Sequence, residues 1–292
     1  MNDEATLRER AEALAAPLPA LLAQAEHLAA SVLPGGHGRR RAGMGDEFWQ
    51  YRQATPSDAG ARIDWRRSAR SDIHFVRETE WQAAQAVTLW VDRSQAMQFT
   101  GHKSRAPKAE RARVLGLALA VLLIRGGERV GLMPDLPARS GRVQLNPLAL
   151  SLMRDDADQD YGSPPHSPLA PHSRTVFLSD FLGDASAVEA VVGRAADQGV
   201  RGVMMQLLDP AEEDFPYQGR SIFESMTGAL RHETLRANDL RQRYRDRLAA
   251  RKDMLARLAH ATGWHVLTHH TDQPPTTALM WLFQHLQDGG RR

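Results

Sequence analysis

The sequence predicts an α/β protein with a doubly wound, mostly parallel sheet and helices on both faces, preceded by a helical and a charged segment. From residue 85 onward, short apolar runs rich in β-branched residues alternate with longer stretches of helical periodicity. Three of the apolar runs end in an aspartate, at Asp92, Asp180 and Asp209. Strands separated by helices at this spacing are typical of parallel sheets that are buried on both faces.

The predicted elements of this region follow from periodicity and from breaker residues. The strands are 86–91, 128–133, 175–179, 202–208 and 264–268, with 142–145 as a further candidate. The helices are 107–125, 147–154, 185–198, 231–262 and 275–287. Residues 155–173 are rich in Asp, Pro, Ser and His and are predicted to form a loop.

Two segments precede this region. Residues 1–34 are predicted to be helical because apolar residues recur at steps of three and four, and Pro17 and Pro19 divide the helix in two. Residues 35–84 begin with a glycine-rich loop, continue with many charges and tryptophans, and contain a predicted strand at 73–77. The predicted domains are therefore 1–34, 35–84 and 85–288.

Composition narrows the classes of function. The chain has 292 residues, 42% of them hydrophobic, which suits one large domain or two small ones. Its 37 basic and 35 acidic residues nearly balance, so global charge gives no argument for nucleic acid. It contains no cysteine, which excludes disulfides, thiolate zinc sites and cysteine nucleophiles. No apolar stretch approaches the roughly 18 residues of a membrane span, and we expect a cytoplasmic protein.

An ordered series of short motifs occupies the charged segment. They are Gly43-Met44-Gly45-Asp46-Glu47-Phe48, Tyr51-Arg52, Asp58, Arg62-Ile63-Asp64-Trp65, Ser68-Ala69-Arg70, and Val76-Arg77-Glu78 with Glu80. In this order they resemble the signature of the bacterial family called domain of unknown function 58. The resemblance is close over about residues 35–100 and loose toward the C-terminus. The segment departs from the family at Ser57-Asp58-Ala59, where a Gly-Asp pair is usual, and many relatives carry upstream membrane spans that this sequence lacks.

The resemblance implies a von Willebrand factor A-like domain after residue 85 and a MoxR-type AAA+ ATPase as the protein partner. It also implies a metal-ion-dependent adhesion site, in which carboxylates and hydroxyls hold a hard cation such as Mg²⁺. Asp92, Ser94 and Asp180 match its positions, whereas Ala96 replaces the second serine. No threonine occurs from 101 to 174, and Ser140 is the only hydroxyl near the expected second loop. The predicted site is therefore degenerate, with Mg²⁺ bound weakly or not at all.

The position of the two aspartates suggests how such a site would be arranged. In a doubly wound sheet, the first and fourth strands flank the topological switch point, where ligands bind beyond the carboxyl ends. Asp92 and Asp180 would face each other there, and two close carboxylates repel unless a cation lies between them. Arg93, which follows Asp92 directly, is a candidate for that cation.

The charged segment supplies the other predicted binding residues. They are Arg52, Asp58, Arg62, Asp64, Trp65, Arg70 and Glu80. Arginine and carboxylate pair as a planar fork, and tryptophan can stack on guanidinium. The set is therefore either an ion-pair lattice that fixes the segment in place or a docking surface for the partner ATPase.

The function predicted from the sequence is a non-enzymatic protein-interaction module, an adaptor or assembly factor that acts with a MoxR-type AAA+ ATPase. One alternative is a metal-dependent hydrolase that uses Asp92 and Asp180. A second is a nucleic-acid-binding protein that uses Arg39 to Arg41 in the glycine-rich loop and the arginine-rich helix over 231–262. The near-neutral charge of the chain weakens this second alternative, and so does the small number of tyrosines, four in the whole chain, that could stack on bases.

Overall fold

A computed structural model describes residues 18–32, 42–54, 63–69, 74–80, 85–155, 158–224, 228, 231–234 and 236–287. The chain divides into two compact units. The larger comprises residues 1–35 together with 85–292, and the smaller comprises residues 36–84. The first helix of the chain, α1 (Leu18–Ala30), belongs to the larger unit. The residues before it, where a second short helix was predicted, lie outside the described part.

The smaller unit is built on a two-stranded antiparallel sheet. Strand β1 (Ala42–Gln53) pairs with β2 (Phe75–Glu80), and the one-turn helix α2 (Trp65–Ser68) lies between them in the chain. The predicted glycine-rich loop is wrong from Ala42 onward, and the predicted strand at 73–77 is displaced toward residue 80. The pairing shifts register between Gly43 and Gln50. Such bulges accommodate glycine within a strand when the partner strand satisfies the backbone.

The larger unit is a mixed α/β fold around a six-stranded sheet. Its strands are β3 (Ala86–Val91), β4 (Arg129–Leu132), β5 (Leu136–Arg139), β6 (Arg174–Ser179), β7 (Arg201–Leu208) and β10 (His265–His270). Their order across the sheet is β10-β7-β6-β3-β4-β5, and every pair is parallel except β4 with β5. A separate hairpin joins β8 (Ser221–Glu224) to β9 (Arg231–Thr234). The predicted mostly parallel sheet is confirmed.

Helices cover both faces of the sheet. They are α3 (Lys108–Arg125), α4 (Leu145–Leu152), α5 (Ala185–Asp197), α6 (Pro210–Asp214), α7 (Ala237–Thr262) and α8 (Pro275–Gln287). One core cluster joins the sheet to α3, α4, α8 and α1, and a second joins its other face to α5 and α7. Helix α3 is the centre of the first cluster, because thirteen of its residues are buried.

The topological switch point lies between β3 and β6. The chain moves from β3 to β4 on one side and then crosses to β6 on the other. The two strands are in parallel register, with Val91 opposite Leu178. The residues that follow them, Asp92 and Asp180, therefore emerge side by side at the carboxyl edge of the sheet, as the sequence predicts.

In the larger unit, two predicted elements differ clearly from the structure. Residues 142–145 are not a strand, because Arg142–Gln144 form a short 3₁₀ turn that leads into α4. The long helix begins at Ala237 rather than 231, because Arg231–Thr234 pair with β8 in the hairpin. Within the described residues, no helix has both the length and the apolar composition that crossing a bilayer requires.

Candidate functional site

Three buried aspartates lie at the carboxyl edge of the parallel sheet. Asp92 follows β3, Asp180 follows β6 and Asp209 follows β7. Each is at most 2% exposed. Carboxylates removed from water in this way need hydrogen bonds and a nearby cation, since burying an unpaired charge is very costly. The partners of each aspartate therefore show what this edge of the sheet can do.

The side chain of Lys108 is the counter-charge of Asp180. Its ammonium nitrogen donates to Asp180 Oδ2 at 2.8 Å and to Glu212 Oε1 at 2.6 Å, and the side chain is 0% exposed. Lys108 is the first residue of α3, and Glu212 lies in α6. Burial alone would lower the pKa of Lys108, but the charges of Asp180 and Glu212 outweigh it and raise the pKa to about 12. The ammonium therefore stays charged at neutral pH.

Asp92 has different partners and is covered by a loop. Its Oδ2 accepts from the Ser179 hydroxyl at 2.6 Å, and its Oδ1 accepts from the backbone N–H of Ser94 at 2.9 Å. Burial and the nearby charge of Asp180 raise the pKa of Asp92. A side chain at Gly162 would lie only 2.1 Å from Asp92 Oδ1, so the backbone of this loop passes directly over the carboxylate.

The covering loop is held by backbone hydrogen bonds. The N–H of Gln95 donates to the carbonyl of Gln159 at 2.9 Å, and the N–H of Ala96 donates to the carbonyl of Asp160 at 2.8 Å. This loop was predicted only as an irregular connection over 155–173. Its position closes the Asp92 side of the crevice and leaves the Asp180 side as the one that adjoins a cavity.

Asp209 is fixed within the fold by three kinds of partner. Arg105 Nη1 lies 3.0 Å from both of its carboxylate oxygens, and the Thr271 hydroxyl donates to Oδ2 at 3.1 Å. The backbone N–H of Ala211 donates to Oδ1 at 2.9 Å, which caps the start of α6. Burial would raise the pKa of Asp209, but these donors outweigh burial and lower it. The carboxylate is thus a structural anchor for α6.

Asp92 and Asp180, two of the three predicted metal ligands, do not fit a divalent cation. Asp180 is bound by the Lys108 ammonium, Asp92 is covered, and a second cation between them would lie against a positive charge. Strand β5 runs antiparallel to β4 and pairs Arg139 with Val130, so Ser140 lies toward the opposite edge of the sheet. Among the described residues, no group of three His, Cys, Asp or Glu is arranged to hold a metal.

Arg93 is not the cation of this site. Its guanidinium forms an ion pair with Asp135 at 2.6 Å and donates to the carbonyl of Ser151 at 3.2 Å. The expectation that Arg93 lies between Asp92 and Asp180 is wrong, because successive residues of an extended segment point in opposite directions. The positive charge instead comes from the next helix of the chain, at Lys108.

A cavity of about 560 Å³ opens beside Asp180 and Glu212. Its walls are mostly apolar and aromatic, and are formed by Ala96, Phe99, Tyr161, Leu182, Ala211, Phe215, Tyr217, Leu240 and Tyr244. Asp160, Glu224, Arg243 and Arg247 add charged groups, and both arginines are exposed. Burial first, and the charge of Glu212 second, raise the pKa of Tyr244, so its phenol stays protonated.

Sequence reasoning missed this cavity because its walls come from segments far apart in the chain. One local signal was present. Tyr244 lies on the apolar stripe of α7, with Arg243 and Arg247 one residue before and three residues after it. In the structure Tyr244 is partly buried and lines the cavity.

The predicted binding residues of the charged segment lie in the smaller unit. Asp64 accepts from the Tyr51 hydroxyl at 3.0 Å and is half-buried. Trp65 is 58% exposed and meets His74 edge to face at 5.4 Å between ring centroids. Arg52 lies in β1 and Glu80 in β2. The remaining predicted residues, Asp58, Arg62 and Arg70, lie outside the described residues.

Asp64 takes part in a hydrogen-bond network within the smaller unit. Its backbone N–H donates to the carbonyl of Phe75 at 2.8 Å, and its carbonyl accepts from the Ser68 hydroxyl at 2.8 Å. The Ser68 hydroxyl in turn accepts from the N–H of Phe75 at 2.9 Å. Asp64 thus ties α2 to β2, and Trp65 is the residue of this set that offers a large apolar surface to solvent.

Comparison with known proteins places the chain among bacterial relatives. The uncharacterized protein Rv1480 of Mycobacterium tuberculosis and the uncharacterized protein Mb1516 of Mycobacterium bovis are each 26% identical to it over 276 residues. These alignments cover 89% of this chain and 86% of each relative. The crystal structure of the conserved hypothetical protein BatB from Bacteroides thetaiotaomicron matches with a TM-score of 0.41 and 13% identity, over 70% of this chain and 96% of that one.

The family assignment rests on a match that spans most of both units. A model described as protein of unknown function DUF58 matches residues 50–254. The match includes the Asp64 motif, the strands that end at Asp92 and Asp180, and most of α7. Because it covers more than half of the sequence, the chain belongs to the DUF58 family of proteins of unknown function.

Proposed function

We propose that this chain is a non-enzymatic protein-interaction module that binds a partner at the cavity beside Asp180. The observation that supports this most is an aromatic cavity that opens beside an already paired charge cluster. The Lys108 ammonium is bound to the carboxylates of Asp180 and Glu212, and a loop covers Asp92. These carboxylates are therefore not arranged as an accessible acid and base. Aromatic walls with arginines nearby are the typical composition of protein binding hot spots.

The chemistry of the walls defines the occupant. Phe99, Phe215 and Tyr244 offer apolar surface for a buried side chain of the partner. Arg243 and Arg247 are one helical turn apart on α7, and neither forms an ion pair within the described part of the chain. The occupant is therefore a partner segment with an apolar or aromatic side chain next to a carboxylate.

The resemblance to the family signature is the basis for proposing one kind of partner. A MoxR-type AAA+ ATPase is the partner expected for this family, and the chain would act as its adaptor or as an assembly factor. The parallel sheet with its switch point at β3 and β6 is compatible with a von Willebrand A-like domain, which binds partners at the same edge of the sheet. The exposed Trp65 of the smaller unit is a second candidate contact.

The two alternative functions receive less support. A metal-dependent hydrolase would need Asp180, whose Oδ2 is bound to Lys108. A nucleic-acid-binding surface on α7 would need a continuous row of free arginines. However, Asp239, Asp246 and Asp253 interrupt the row, and Lys252 is paired with Glu213. Alternating charges of this kind fit a solvated helix face better than a phosphate-binding stripe.

The experiment measures binding of the purified chain to the purified MoxR-type ATPase encoded in the same genome. Reversal of charge in the double variant Arg243→Glu and Arg247→Glu is expected to weaken binding by about tenfold or more. The variant lacks both arginines that would pair with the carboxylate of the partner segment. Arg257→Glu is the matched control, because this residue is exposed on the same helix but does not line the cavity. Equal binding by the double variant and the wild type would contradict the proposal.

A further inference from the structure

We propose that the ammonium group of Lys108 takes the place of the divalent cation expected at the carboxyl edge of this sheet, so that the chain carries its own cation. The inference concerns the charge cluster itself and does not depend on the identity of any partner. Its basis is the position of Lys108 between Asp180 and Glu212, together with the loss of the second serine, at Ala96, and of a threonine on the second loop.

Lys108 has no favourable position without the two carboxylates. It is the first residue of α3, at the end of the helix where the macrodipole disfavours positive charge. Its side chain is 0% exposed, and removal of an ammonium group from water is unfavourable. The contacts of 2.8 Å to Asp180 and 2.6 Å to Glu212 offset both costs.

The two buried carboxylates need a cation, and the Lys108 ammonium supplies it. Asp180 is 1% exposed, and Glu212 keeps only 11% of its side chain in solvent. The second oxygen of Glu212 accepts from the backbone N–H of Asp209 at 2.8 Å, so Glu212 is fixed toward Lys108. The two acids come from the end of β6 and from α6, and Lys108 from α3, so three elements converge on one charge.

Two other adhesion-site positions supply no ligand at this edge of the sheet. Ala96 carries no hydroxyl, and Ser140 lies toward the other edge of the sheet. The oxygens of Asp92 are satisfied by Ser179 and by the Ser94 backbone, under the loop at Gly162. Asp180 and Glu212 therefore form the cation position by themselves, and the Lys108 ammonium fills it.

A built-in cation differs from a metal in two ways. It cannot be removed by a chelator, and it has no open coordination position to accept a carboxylate from a partner. A partner that binds at this edge would therefore do so without divalent cations and through the adjacent cavity.

The test is a titration of the purified full chain and its variants with Mg²⁺ and Mn²⁺, by calorimetry and by thermal unfolding. The wild type is expected to show no binding heat and no change in unfolding temperature. Lys108→Ala is expected to unfold at a lower temperature and to regain part of the loss with Mn²⁺, because two buried carboxylates then face an empty position. Lys252→Ala, which removes a partly exposed lysine paired with Glu213, is the matched control and should not respond to metal.

A second variant keeps the test decisive if Lys108→Ala does not fold. The double variant Lys108→Ala with Asp180→Asn removes one charge of each sign, and is expected to fold and to lack any metal response. Binding of Mn²⁺ by the wild type that is lost in Asp180→Asn would overturn the proposal. A Lys108→Ala protein that folds but gains no metal response would overturn it as well, since the ammonium would then not occupy a cation position.

Discussion

Replacement of Lys108 by methionine tests the energetic role of the buried cluster. Methionine is similar in length to lysine and fills the same space, but it leaves Asp180 and Glu212 without their counter-ion. Removal of one partner from a buried ion pair costs about 3–5 kcal/mol, because the other charge stays buried and unpaired. The pair here is almost fully buried, with Lys108 at 0% and Asp180 at 1% exposure, so the full range applies.

The expected change is large enough to measure by two methods. For a protein of this size, each kcal/mol lowers the unfolding temperature by about 2–4 °C, so Lys108→Met should lower it by roughly 6–20 °C. Urea unfolding followed by circular dichroism gives the free energy of unfolding directly. Lys252→Met is the control, because its partner Glu213 is 32% exposed and such pairs contribute at most about 1 kcal/mol.

A double-mutant cycle separates the ion pair from other effects of the substitution. Asp180→Asn in the Lys108→Met background removes the unpaired carboxylate and should recover part of the lost stability. A coupling energy of about 1–3 kcal/mol between the two positions is expected for residues in direct contact. A Lys108→Met protein within about 0.5 kcal/mol of the wild type would refute the reasoning, because that is the range of an ordinary surface substitution.

Two further predictions concern the covering loop and a buried histidine. Gly162→Ala places a methyl group 2.1 Å from Asp92 Oδ1 and should lower the free energy of unfolding by about 1–3 kcal/mol. Gly193→Ala is the control, because this glycine of α5 has open space around it and the free energy of unfolding should not fall. Equal urea midpoints for the two variants would contradict this prediction. Burial and the neighbouring Arg111 lower the pKa of His269 to about 4, so stability should fall as pH falls from 6.5 toward 4, by at most about 1.4 kcal/mol per pH unit. Urea unfolding across this pH range should show a smaller slope for His269→Gln, which cannot titrate, and an unchanged slope would count against the assignment.

The sheet and the meeting of two aspartates could be predicted from the sequence. The strand 86–91 and the end of 175–179 agree with the structure because both runs are buried on two faces, which gives a continuous apolar signal. The adjacency of Asp92 and Asp180 then follows from topology alone, since strands on either side of a switch point end at the same edge.

Lys108 could not be assigned in the same way. Its partner Asp180 lies 72 residues away in the chain, and the pairing depends on where α3 begins relative to the sheet. One signal was available: the chain has only three lysines among its 37 basic residues, and one of them opens a helix. A cation in the first turn of a helix is disfavoured by the macrodipole and therefore calls for nearby carboxylates.

Long-range pairing explains the other differences. Strand β1 forms through glycine-rich sequence because β2 supplies its hydrogen bonds, and Arg231–Thr234 leave the predicted helix because β8 pairs with them. Local residue propensity gives no information about pairing strands that lie far away in the chain. Strand formation therefore depends more on context than helix formation does. The apolar stripe of α7 in fact begins only at Leu240, close to the observed start at Ala237.

The most direct measurement of the central claim is a nitrogen-detected spectrum of the lysine ammonium groups in the ¹⁵N-labelled chain at neutral pH. The three lysines give at most three signals, and only Lys108 is fully buried. We expect a slowly exchanging charged ammonium signal that disappears in Lys108→Met and is unchanged by Mg²⁺. A Lys108 signal that exchanges with water as fast as that of Lys103, or that shifts when Mg²⁺ binds, would contradict it.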